Sequence, residues 1–112
     1  MERPAAYIIS LGDQSISRTY GVDPGIAAQS IMLGANEMGL GGCIMTSVQK
    51  QALSQVLEIP EQYKVILAIA LGKPREKVVV EKMGLDGDIK YWRDEEGIHH
   101  VPKRDLDDLI VG

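Results

Sequence analysis

The sequence predicts an α+β fold, and three observations carry that expectation. Residues 65–71 (VILAIAL) are apolar without alternation, the pattern of a strand covered on both faces at the centre of a sheet. Residues 22–47 read as a helix rich in small residues, a glycine hinge and a buried strand. Beyond Pro74 the composition turns charged, and short β-branched pieces separated by turn residues replace the helices.

Composition narrows the class. A length of 112 residues suits one domain, with 76–112 as a charged arm and tail too poor in apolar residues to stand alone. Hydrophobic residues at 45% and charged residues at 25% are ordinary for a globular protein. With no Phe, one Trp and four Tyr, the core must be aliphatic. A net charge of −4 argues against a nucleic-acid or anionic-membrane binder, which would carry a basic field. Cys43 is alone, which excludes an internal disulfide and suits a reducing, cytoplasmic setting. No stretch reaches the ~18–20 apolar residues that span a bilayer. Met1-Glu2-Arg3-Pro4 lacks the basic start and long apolar run of a secretory leader.

Taken in order, residues 5–11 (AAYIISL) favour a strand through Tyr7, Ile8 and Ile9, and a polar loop follows Gly12. Asp23 is the expected N-cap of the small-residue helix, with Pro24 at its first position, where a missing N–H costs nothing. Gly25, Ala28, Gly34 and Ala35 add so little side chain that another backbone can approach closely, and Gly39 stops the helix. A helix this plain is expected to be buried. A second helix is expected over 48–57, capped by Thr46 or Ser47 and ended by Ile59-Pro60. After the central strand, residues 77–81 read as an exposed strand and 84–88 as a turn. Residues 89–93 and 98–101 read as the arms of a hairpin, and 105–111 as a short closing helix.

The chemistry-bearing motifs are few. Gly39-Leu40-Gly41-Gly42 follows a helix and precedes a strand, the reverse of a dinucleotide loop, and Ile44 stands where the third glycine would be. It reads as a helix stop. Cys43 has no charged neighbour to lower its pKa and reads as a buried structural residue. His99 and His100 are adjacent, so on a strand they point to opposite faces and do not share a metal; no metal site is expected. Asp86-Gly87-Asp88 lacks the further ligands of a calcium loop. Lys103-Arg104 is either a solvated pair, neutralised by Asp105, Asp107 and Asp108, or an anion site. No side chain stands out as an acid, base or nucleophile, so any redox chemistry must come from a cofactor.

The ordered set of segments resembles the C-terminal half of the FMN-dependent nitroreductase family. The set begins with Asp23-x-Gly25-Ile26-Ala27-Ala28-Gln29-Ser30-Ile31-Met32-Leu33 and Glu37-Met38-Gly39-Leu40-Gly41-Gly42-Cys43. It continues through Leu57-Glu58-Ile59-Pro60-Glu61-x-Tyr63 and Ala70-Leu71-Gly72-Lys73-Pro74 to Pro102-Lys103-Arg104. The resemblance implies an α+β nitroreductase-like sheet, FMN as cofactor, NAD(P)H as reductant, a small-molecule electron acceptor, and a homodimer through helix 23–39. It also implies that Ile44, Met45, Thr46 and Ser47 lie against the flavin ring and that Lys103 and Arg104 hold the phosphate. The family's Arg-Arg-Ser type phosphate segment has no counterpart, and Arg3 is the only basic residue before Arg18, so the chain is expected to be truncated. Two alternatives stand beside the flavin module: a non-enzymatic dimerisation or ligand-binding module, and a partner subunit of a separately encoded N-terminal half.

Overall fold

The computed structural model of the chain describes residues 3–112. Met1 and Glu2, part of the tetrapeptide unlike a secretory leader, lie outside the described residues. The chain divides into two compact units, 1–74 and 75–112. The first contains β1 (Ala6–Asp13), α1 (Asp23–Glu37), β2 (Gly41–Met45), α2 (Lys50–Val56) and β3 (Tyr63–Gly72). The second contains β4 (Val78–Lys82), β5 (Trp92–Arg93), β6 (His99–Lys103) and a 3-10 turn at Asp107–Leu109.

In the first unit the sheet order is β1-β3-β2, with both pairings antiparallel. The apolar run thus takes the middle, as its pattern predicts. Val65, Leu67, Ala68, Ile69 and Ala70 are all buried, so successive residues of β3 are covered on both faces. Ile69 lies between Ile8 of β1 and Ile44 of β2. A bulge between Ser10 and Leu11 leaves Ile66 without a residue opposite it on β1. Ala28 of α1 packs with Leu67 and Ile69, and Ile31, Met32, Ile66 and Leu71 close around them. The methyl side chain of Ala28 is what lets the helix come this near the sheet.

Both helices of this unit end in the same device. At α1, Gly39 takes φ 78° while its N–H reaches Asn36 O at 3.0 Å and the Leu40 N–H reaches Ala35 O at 2.9 Å. This is the Schellman closure that a residue of positive φ permits. At α2 the corresponding residue is Glu58, φ 52°, with the Ile59 N–H donating to Ser54 O at 2.9 Å.

Several expectations are corrected here. Val22 caps α1 and Asp23 is already helical, with no side-chain capping bond, so proline stands one place further in than expected. Burial of α1 is limited to Ala28 and Ala35, whereas Ile26, Leu33 and Met38 are exposed, because the helix meets the sheet along one narrow stripe. Gln49, not Thr46 or Ser47, caps α2. The strand carrying Cys43 is an outer strand, and Cys43 itself is exposed rather than buried.

The second unit is a three-stranded sheet of order β4-β6-β5. Strands β5 and β6 form the expected hairpin, with Trp92 opposite His100, though its first arm shrinks to Trp92–Arg93. Its turn is held by the Gly97 N–H on Asp94 O, with Gly97 at φ 78°. Pairing of β4 with β6 is parallel and places Val80 beside Val101. The expected closing helix is only the three-residue 3-10 turn. No helix of the described residues is long and apolar enough to cross a membrane.

Candidate functional site

The flavin-facing segment expected from the sequence starts on β2. Ile44 and Met45 pair with Ile69 and Ala68 of β3, an anchoring that fixes their backbone. Thr46 and Ser47 leave the strand and lead toward α2, and both are exposed. Ile44 is 39% exposed and Met45 is half-buried. The four residues therefore form one continuous accessible stretch: an apolar strand end followed by two hydroxyls. Gly42 precedes them where a Cβ would come 2.6 Å from Met32 Sδ and 2.9 Å from Leu71 Cδ2. Glycine there is what lets β2 lie close to β3 and α1.

Lys103 and Arg104 belong to the second unit. Lys103 ends β6 opposite Lys82 of β4, and its carbonyl accepts the Met83 N–H at 2.7 Å. Arg104 follows it, and both side chains are exposed. Asp105, one of the acids that could have neutralised this pair, is bound to Lys82 instead. That hydrogen bond raises the Lys82 pKa and holds it as a cation. Among the described residues, neither Lys103 nor Arg104 forms an ion pair. Ile44, Met45, Thr46 and Ser47 thus stand together in one unit, and Lys103 and Arg104 stand together in the other.

A shallow cavity of ≈ 220 Å³ in the first unit is lined by Ser10, Leu11, Tyr20, Asp23, Pro24, Ala27 and Ile66. It contains none of the six expected site residues. The Tyr20 hydroxyl is buried without a hydrogen-bond partner, and its ring occupies the space above Gly12.

The sequence missed the polar cluster on the second sheet. His100 Nε2 lies 2.8 Å from Asp94 Oδ2 and its Nδ1 lies 3.0 Å from Glu81 Oε2. The ring stacks on Trp92 with centroids 4.1 Å apart and planes 8° from parallel. Trp92 Nε1 donates to the other Glu81 oxygen at 3.1 Å. On its neighbour, His99 Nδ1 meets Glu76 at 3.2 Å, and Arg93 donates to the same carboxylate at 2.6 Å. Adjacency of two histidines on a strand foretold their divergence, but Glu76 and Glu81 come from the segment that forms β4, 23 and 19 residues before the histidines they meet, and Asp94 from the hairpin turn, which no local spacing reveals. The bonds shift the titrations as expected. Asp94 raises the His100 pKa, with help from Glu81, while His100 and the Ile98 N–H lower that of Asp94. Arg93 lowers that of Glu76.

Comparison with known proteins bears on the first unit above all. The model of the nitroreductase family matches residues 3–73. A nitroreductase family protein from Clostridium novyi NT is 25% identical with a TM-score of 0.55, over 62% of this chain and 43% of its own. An FMN-dependent nitroreductase from Clostridium difficile R20291 is 26% identical with a TM-score of 0.57, over 63% of this chain and 46% of its own. The chain therefore spans less than half the length of either structure. The match runs through every element from β1 to β3, including the strand that presents Ile44 and Met45. By fold and by sequence, the chain belongs to the nitroreductase family.

Proposed function

We propose that the chain is an FMN-contacting module of a nitroreductase-type oxidoreductase. The family match across residues 3–73 carries this reading, because it includes the segment that would meet the flavin. When bound, FMN would supply ping-pong transfer of reducing equivalents from NAD(P)H to a small-molecule acceptor. The chain's own residues position and shield. Ile44 and Met45 offer an apolar edge, Thr46 and Ser47 offer hydroxyl donors, and Lys103 and Arg104 are cations suited to phosphate. None of them is assigned as an acid or base.

Support for the phosphate role is the commitment of Asp105 to Lys82, which removes the nearest acid from competition for the two cations. Purified chain should quench FMN fluorescence and hold a yellow colour absorbing between roughly 400 and 500 nm, as flavin chemistry requires. Replacing Lys103 and Arg104 with alanine should weaken that binding about 10- to 100-fold, the worth of one or two charge-assisted bonds. A colourless chain that leaves FMN fluorescence untouched overturns the flavin reading. Retained affinity in the double variant would instead return the two cations to a solvated pair.

The exposed apolar residues Ile26 and Leu33 of α1, with Met38 just past its end, favour a covering chain. A second copy meeting through helix 23–39 is the first reading, and a separately encoded N-terminal half is the second. Light scattering separates them: a homodimer at tens of micromolar supports the first, and a monomer that pairs only when the other half is added supports the second.

A further inference from the structure

The surroundings of His100 constrain its protonation through geometry alone. A neutral imidazole has one N–H donor and one lone pair, whereas the imidazolium has two donors. Both nitrogens of His100 face carboxylate oxygens, Asp94 Oδ2 at 2.8 Å and Glu81 Oε2 at 3.0 Å. Neither carboxylate is free to turn away. Asp94 Oδ1 accepts the backbone N–H groups of Glu96 and Ile98, each at 2.9 Å, and Glu81 Oε1 accepts the Trp92 indole at 3.1 Å. Only the imidazolium satisfies both neighbours. These contacts join all three strands: Glu81 lies on β4, Trp92 on β5, Asp94 in the turn, and His100 on β6.

We propose that His100 is a pH-operated clasp: as an imidazolium it ties the Glu81 side chain of β4 to the β5–β6 hairpin, and on losing a proton it drops that tie while the β4–β6 backbone pairing stays in place. The proton that leaves is the one on Nδ1. The neutral ring keeps its shorter bond to Asp94, whose carboxylate is fixed within its own hairpin, and Glu81 then faces a lone pair and is repelled. Glu81, Asp94 and the Trp92 ring are the groups that face His100 from the elements around it. His99 does not take part, because it faces Glu76 and the Tyr91 ring instead.

The test uses the full chain labelled with ¹⁵N. Long-range ¹H–¹⁵N spectra should show both ring nitrogens of His100 protonated at pH 7, with a midpoint above the ordinary histidine value of about 6.5. Emission from Trp92, the one tryptophan, should change with the same midpoint while far-UV circular dichroism stays constant. Glu81→Gln and Asp94→Asn should each lower the midpoint, and His99→Gln should leave it in place. A neutral His100 ring at pH 7 in the unmodified chain overturns the proposal, whatever the variants do. So does a Trp92 transition that persists unchanged in His100→Gln, or a midpoint indifferent to Glu81→Gln.

Discussion

Gly42 leaves no room for even one methyl group. Its Cβ would lie within 3.1 Å of three separate atoms, those of Met32, Leu71 and the Ala70 carbonyl. Gly12 is as confined, with the Tyr20 ring 2.2 Å from its would-be Cβ. Gly42→Ala and Gly12→Ala should each lower stability by about 1–3 kcal/mol, the usual cost of overpacking, measured as a fall in the urea midpoint. Ile69, fully buried between two strands and a helix, should cost about 2–5 kcal/mol as Ile69→Ala. These sites differ in how plainly the sequence announces them. Ile69 sits inside an apolar run and reads as core at once. The confinement of Gly42 depends on Met32, ten residues away across a helix end, and a glycine-rich hinge gives no sign of which glycine is irreplaceable. Cys43 misled for a related reason: an apolar run reads as buried, yet a strand at the rim of a sheet has only one flank covered.

At the scale of elements, the α2 terminus carries a cost that the α1 terminus avoids. At both ends the chain leaves the helix through positive φ, but Glu58 does so with a Cβ that Gly39 lacks. Glu58→Gly should therefore stabilise the chain by up to about 1 kcal/mol, seen as a higher urea midpoint with unchanged slope. The second sheet should show a stability plateau in pH. Asp94 and Glu76 have lowered pKa values, so their contribution is present above the ordinary carboxylate range and is lost as pH falls through the lowered values. His100 is raised, so its contribution is full below about pH 6.5 and is lost as pH rises through the raised value. Protection of the Ile98 amide, which donates to Asp94, should fall at the acid end of that window once exchange is normalised to the intrinsic rate at each pH. The central strand, the helix stop at Gly39 and the hairpin turn were legible because each is written in a few consecutive residues. The parallel pairing of β4 with β6 was not, since it joins segments separated by an intervening strand and leaves no local mark. The closing helix failed because the segment makes a single tight turn at Asp107–Leu109 and Ile110 then returns to extended backbone.

For the molecule as a whole, the family was legible from the order of its segments, while the clasp on the second sheet lay wholly outside what order can show. Of the expected site, the four residues from Ile44 to Ser47 form one accessible stretch, and the two cations stand without an ionic partner among the described residues. Exposed apolar side chains on the first unit extend from α1 to Tyr7 and Leu11 of β1. The proposed self-association through α1 should weaken on Leu33→Glu, with sizing chromatography shifting toward the monomer while circular dichroism is retained. The β1-β3-β2 sheet also has two unlike rims, since among the described residues β1 and β2 are each paired on one side only. If copies met through one rim only, β1 to β1 or β2 to β2, growth would stop at two. Joining the β1 rim of one copy to the β2 rim of the next would regenerate both free rims at every addition, and the ribbon would have no natural end. Whatever covers α1 and these strands thus also decides whether assembly closes or propagates.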